Sequence, residues 1–162
     1  ALAEGDAPPF WAFCWGSGLA LARYLLDQPE RVRGRRVVDL GSGSGVAGIA
    51  AALAGADQVV GCDTDPDARL ATAENAALNG VDITVTETLD GQHDILLMAD
   101  VLYDRSNLPL LNLAQQHAAE VLVADSRVTE LPDSSYREIA RMLAGEKITQ
   151  TTLDHARELL DN

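Results

Sequence analysis

Aromatic residues make up only 4% of this 162-residue chain, and lysine is nearly missing, with Lys147 its single representative. The other basic residues are all arginine, a codon preference with no functional weight. Two cysteines, Cys14 and Cys62, are too few for a disulfide framework. Cys62 lies in an apolar run and reads as a small core residue. His93, His117 and His155 are isolated and lack the spacing of metal ligands. No run of eighteen apolar residues occurs, and no charged-then-apolar leader precedes Trp11, so the chain reads as cytosolic and soluble, without a membrane partner. Positive charge is scarce as well. Twelve basic residues against 25 acidic ones leave a net charge of −13. Phosphate backbones are bound through Lys and Arg, so nucleic acid is excluded as a partner, while a cationic substrate is not.

What remains is an alanine-rich composition, 47% hydrophobic, in a chain long enough for one sizeable core. Apolar spacing predicts a first helix over Ser17–Leu26, ending before Pro29. Strands are expected at Arg35–Leu40, Gln58–Asp63, Asp82–Glu87, Asp94–Ala99 and Glu120–Ala124, with a sixth at Lys147–Thr152. Helices are expected at Val46–Gly55, from the Asp65 cap through Pro66 to the stop at Gly80, at Leu108–Ala119, and around Ser134–Leu143. Arginines 31, 33, 35 and 36 form a cluster before the first strand, read as a solvated loop or a docking patch. Alternating strands and helices predict an α/β fold with a doubly wound, mostly parallel sheet. We read residues 1–162 as one domain, with 1–33 an amino-terminal lid and helix segment and 34–162 the cofactor-binding core.

One stretch dominates the functional reading. Val37-Val38-Asp39-Leu40 leads into Gly41-Ser42-Gly43-Ser44-Gly45, and Asp63 closes the next apolar run. This is a strand, a glycine turn, a helix and a second strand carrying a carboxylate, the order that builds a nucleotide pocket. Asp63 is placed to accept hydrogen bonds from two ribose hydroxyls. Gly43 to Gly48 also spells G-x-G-x-x-G, so a dinucleotide such as NAD fits the bare pattern. A pyrophosphate would sit near Asp39, and each like-charge pair at roughly 7 Å and an effective dielectric of ~20 costs about 2 kcal/mol. S-adenosylmethionine has no phosphate and brings an ammonium and a sulfonium, which a carboxylate favours. A pocket that has lost its ligand is the third reading.

The run Asp39–Gly45 resembles the first motif of the seven-strand, Rossmann-like methyltransferases. With Pro9-Phe10-Trp11-Ala12-Phe13-Cys14-Trp15, Asp63-Thr64-Asp65-Pro66 and Asp100-Val101-Leu102-Tyr103-Asp104, it is similar to the electron-transfer-flavoprotein β-subunit lysine methyltransferases. The resemblance runs from about Pro9 through Arg127. It implies an S-adenosylmethionine-dependent enzyme that methylates a lysine on a protein, with the electron transfer flavoprotein β subunit the first candidate target and a ribosomal protein the second. By the same resemblance Asp39, Gly41, Ser42, Gly43 and Gly45 would cradle the methionine part of the cofactor, and Asp63 would hold the ribose. Thr64 would pack on the adenine and Glu87 would meet its amino group, while Trp15 and Ser17 would close the pocket. Asp100 and Tyr103 would be catalytic: Asp100 accepts an N–H bond and aims the amine lone pair, touching the cofactor as well, and Tyr103 shapes the channel.

Departures from the pattern carry information too. Nucleobase and glutamine-amide methyltransferases of this fold place two prolines where this chain has Val101-Leu102. Ala124-Asp125-Ser126-Arg127 keeps only Asp and Arg of the family's Gly-Asp-Pro-Gly-Arg, which leaves a non-catalytic cofactor-binding or scaffold protein as the alternative, with Asp125 the next catalytic candidate if Asp100 is not one. The family finishes with a further strand, so either the last strand of the core is absent from this chain alone or the sheet is short by one, and the residues do not distinguish the two. The methylated target, the degree of methylation and the oligomeric state are not legible in these residues.

Overall fold

Strand β1 (Arg36–Leu40) lies in the middle of a five-stranded sheet with β2 (Gln58–Cys62) and β3 (Thr84–Thr86) on one side and β4 (His93–Ala99) and β5 (Ala118–Ala124) on the other. The computed structural model describes residues 12, 16–102 and 105–125. The order is β3-β2-β1-β4-β5 and every pairing is parallel, with Val38 of β1 opposite Val60 on one side and Leu96 on the other. Four α-helices, α1 (Gly16–Asp27), α2 (Val46–Leu53), α3 (Pro66–Leu78) and α4 (Pro109–His117), and two short 3-10 helices at Pro29–Arg31 and Arg105–Asn107 complete the described fold.

The central strands are buried on both faces, as their unbroken apolar sequence demands. Val37, Ile95 and Leu97 face one way, into a cluster with Leu21 and Leu25 of α1 and Ala47 and Ala51 of α2. Val38, Leu96 and Met98 face the other way and pack with Leu102, Ala114 and Val123, covered by Leu108, Leu110 and Leu111 around α4. Side chains such as Leu96 and Leu97 are fully buried, each contributing about 1.5–3 kcal/mol. Helices on both faces of a parallel sheet make the doubly wound architecture expected from the sequence. The helix-free connection 87–92 crosses from β3 to β4, with Leu89 packed against the α4-side cluster.

Element ends shift by a few residues. Strand β5 takes up Ala118 and Ala119, which the sequence assigned to the preceding helix, and β3 shrinks to three residues. The Asp65 cap holds as expected, its carboxylate accepting from Asp67 N at 2.9 Å ahead of Pro66. The arginine cluster is largely exposed from Arg33 to Arg36, as a solvated loop would be, but three of its four side chains have acidic partners. Arg31 and Arg35 pair with Glu120 of β5, and Arg36 pairs with Asp94 of β4, so they tie the amino ends of the strands together. The expected elements at 134–143 and 147–152 lie outside the described residues.

Candidate active site

The chain leaves β1 toward β2 on one side and is continued by β4 on the other, so the order reverses between β1 and β4. In open α/β sheets that reversal opens a crevice at the carboxyl ends of the strands, where ligands bind. Here the loops after β1 and β4 meet. Gly41 has φ +72°, and a Cβ on it would stand 2.7 Å from Val101 Cγ2. Only glycine satisfies both the left-handed backbone and that approach.

The loop 41–45 is held from within. Gly41 N and Ser42 N donate to Cys62 O, and Gly45 N to Ser42 O. Gly43 N donates to Asp63 Oδ2 at 2.9 Å, while Asp65 N donates to Asp63 Oδ1 at 3.0 Å. Asp63 therefore joins the β1 loop to the β2 loop, and remains half-buried at the cleft. Thr64, beside it, is exposed, and Glu87 is exposed one residue past β3.

Asp39 sits beneath the loop rather than at its open face. It is 2% exposed and its Oδ2 accepts from Gly48 N at 2.9 Å, in the first turn of α2. Gly45, the N-cap of α2, has no side chain to offer, so the strand supplies the missing acceptor. Gly48 must be small here, since a Cβ would lie 3.2 Å from Asp39 Oδ2. Burial pushes the Asp39 carboxyl up to about 7, against the Gly48 bond that lowers it, with the charge of Asp63 adding to the rise.

Asp100 follows β4 directly and has φ +52°, a left-handed backbone that Asp tolerates better than bulkier residues. The turn carries Val101 over Gly41. Asp100 Oδ2 accepts from Gly18 N of α1 at 3.3 Å, tying the start of that helix to the rim. Gly18 also lies close to α2, where an added Cβ would be 3.1 Å from Val46 Cγ1. Ser17, half-buried at the start of α1, is thus brought to the same end of the sheet as Asp63 and Asp100. The structure brings Ser17, 41–45, Asp63 and Asp100 to one end of the sheet, whereas Asp39, expected to cradle the cofactor, is buried beneath the loop against Gly48. Trp15 and Tyr103 lie outside the described residues.

Two residues that sequence reasoning missed support the loop from α3. Thr72 is fully buried; its Oγ1 lies 3.0 Å from Ser42 Oγ and donates to Gly43 O at 3.0 Å. Asn75 Nδ2 donates to Ser44 O at 2.8 Å. Their only sequence signal is two polar residues three apart, on the same helix face as the buried Ala68 and Ala76. Thr72→Val keeps the shape and removes the hydroxyl, leaving a partly buried carbonyl without its donor. A loss of about 1–3 kcal/mol in denaturant unfolding is expected, with Thr72→Ser largely restoring it.

Among the described residues no cluster of His, Cys, Asp and Glu could hold a metal, and no helix is long and apolar enough to cross a membrane. Comparison with known proteins fits this geometry. The family described as ribosomal protein L11 methyltransferase (PrmA) matches residues 20–126. The chain is 39% identical over 128 residues to the electron transfer flavoprotein beta subunit lysine methyltransferase of Mus musculus, covering 72% of this chain and 50% of that one. It is 42% identical over 104 residues to the ribosomal protein L11 methyltransferase of Geobacter sulfurreducens, covering 61% and 33%. A solved ribosomal protein L11 methylase from Lactobacillus delbrueckii superposes with a TM-score of 0.60 at 26% identity, over 83% of this chain and 70% of that one. The chain spans about half the length of the flavoprotein methyltransferase it matches. With two thirds of its length inside the matched region and the sheet, loop and rim in place, the chain belongs to the ribosomal protein L11 methyltransferase (PrmA) family.

Proposed function

We propose that this chain binds S-adenosylmethionine in the β1/β4 crevice and directs its methyl group to a lysine amine of a protein. The observation that carries the choice of cofactor is how the loop spends its N–H groups. Gly43 N is committed to Asp63 and Gly48 N to Asp39, while Gly41, Ser42 and Gly45 donate to backbone carbonyls. A pyrophosphate needs such donors in the loop and at the helix start, and here Gly43 N in the loop and Gly48 N in the first turn already hold carboxyl groups. The donor set suits a ligand without phosphates.

In this reading Asp63 accepts the ribose hydroxyls, since each carboxylate oxygen can take a further donor beside its backbone N–H. The exposed Thr64 and Glu87 serve the adenine side. The loop 41–45 and Ser17 enclose the methionine end, with Trp15 closing over it. The cofactor supplies a methyl group on a sulfonium, an electrophile for an amine. A lysine has a pKa of about 10.4 and arrives mostly as ammonium. A desolvated rim disfavours the charged form, and Asp100, with Tyr103 shaping the channel, accepts an N–H bond and aims the lone pair. Alignment then supplies most of the rate.

The names of the relatives support a protein substrate: one is a lysine methyltransferase of the electron transfer flavoprotein beta subunit, another a methyltransferase of ribosomal protein L11. We place the flavoprotein β subunit first and a ribosomal protein second. Incubating the chain with methyl-labelled S-adenosylmethionine and each purified protein should put label in methyl-lysine after hydrolysis. Cofactor binding without transfer to either protein, or to any protein of a cell extract, would favour the scaffold reading instead.

A further inference from the structure

We propose that Asp125 and Asn107 are positioning residues that clamp a single peptide plane and thereby fix the rim segment bearing Asp100. The proposal rests on the methyltransferase reading of the crevice. Leu102 N donates to Asp125 Oδ2 at 2.8 Å, and Asn107 Nδ2 donates to Val101 O at 2.8 Å. The carbonyl of Val101 and the N–H of Leu102 belong to the same peptide unit, so its two polar ends are gripped by two side chains from different parts of the fold.

The position of Asp125 in the sheet explains why a side chain is needed. Strands β4 and β5 run in parallel register, Met98 opposite Val123 and Ala99 opposite Ala124. Asp100 N still donates to Ala124 O at 2.8 Å, one rung past the strand end. The next N–H on that side belongs to Leu102. The left-handed turn at Asp100 takes the chain out of the ladder before that rung, and the Asp125 carboxylate substitutes for a backbone acceptor. Asp125 is 8% exposed and Leu102 is 2% exposed, so an unmet N–H there would be costly.

The clamp has a functional consequence because of its neighbours. Val101, whose carbonyl is held, is the residue that presses on Gly41 of the cofactor loop. Asp100, one residue earlier, meets the start of α1 through Gly18 N. A fixed 101–102 peptide therefore sets both the height of the rim above the glycine loop and the direction of the Asp100 carboxylate. Through this bond the buried Asp125 carboxylate acts on the rim by way of the backbone.

The test compares Asp125→Ala, Asp125→Asn and Asn107→Ala in the full chain. Asn can still accept the Leu102 N–H, whereas Ala cannot. Single-turnover methyl transfer at saturating S-adenosylmethionine should fall about tenfold or more in Asp125→Ala, since an attacking atom misplaced by about 1 Å costs around a hundredfold. Affinity for S-adenosylhomocysteine should stay within about threefold, and Asp125→Asn should recover most of the rate. An Asn variant as inactive as the Ala variant, or an Ala variant at wild-type rate, overturns the proposal. Asn107→Ala should show the same kcat-selective loss, and it decides the matter if Asp125→Ala does not fold. Amide hydrogen exchange at Leu102 reads the clamp without any turnover: protection should be lost in Asp125→Ala and kept in Asp125→Asn. Protection unchanged in Asp125→Ala contradicts the clamp. A wild-type chain that protects Leu102 in this manner yet transfers no methyl would contradict the methyltransferase reading and leave the clamp standing.

Discussion

Asp63→Ala is expected to weaken binding of S-adenosylhomocysteine roughly a hundredfold to ten-thousandfold, read by calorimetric titration. Hydrogen bonds to a charged group contribute about 1.5–3 kcal/mol each, and the ribose reading gives Asp63 two of them. The carboxylate has a second task, because it receives Gly43 N at 2.9 Å and Asp65 N at 3.0 Å. Removing it releases the β1 loop from the β2 loop, so a stability loss of about 1–3 kcal/mol should accompany the loss of affinity. Asp63→Asn separates the two effects. It keeps one acceptor oxygen and the side-chain shape, so it should recover more of the stability than of the affinity. Unchanged affinity in a folded Asp63→Ala protein would remove Asp63 from the ribose site.

The second large effect is a pH dependence seated at Asp39. Burial raises its carboxyl from 3.8 to about 7, so the folded state holds a proton that the unfolded chain releases. The stabilisation from that bound proton is fully present below the unfolded value of 3.8 and is lost as pH rises through about 7. A shift of this size corresponds to a change on the order of 4 kcal/mol across that window. Asp39→Asn retains an acceptor for Gly48 N and has no proton to lose. Urea unfolding of both proteins should therefore show the Asn variant gaining stability relative to wild type as pH rises from about 4 to above 7. A difference that does not change with pH would mean that Asp39 is ionised in the folded protein throughout.

The glycine loop, Asp63 and the rim at Asp100 were legible in the sequence because backbone demands there leave few residue choices. Gly41, for instance, must combine a positive φ with an approach to Val101 that no side chain allows. The buried strands were legible for the same kind of reason, since runs such as Ile95-Leu96-Leu97-Met98 suit only a strand covered on both faces. Strand β5 was harder at its start, because Ala118-Ala119 favours a helix and is turned to strand by pairing of Ala118 with His93. Asp39 shows a further limit. Its place in the motif suggested a carboxylate facing the ligand, but strand alternation puts it on the α2 side with Val37, under Gly48. The supports of the loop were invisible for a similar reason. Thr72 and Asn75 act across a distance of some thirty residues, and nothing local distinguishes them from other polar positions on a helix.

The most direct test of the account is a titration of the unmodified chain with S-adenosylhomocysteine and, under the same conditions, with NAD. The commitment of Gly43 N and Gly48 N to carboxylates predicts saturable binding of S-adenosylhomocysteine at one site and no measurable binding of NAD at the same concentrations. Binding of NAD as tight as that of S-adenosylhomocysteine, or a folded chain that binds neither, would contradict it.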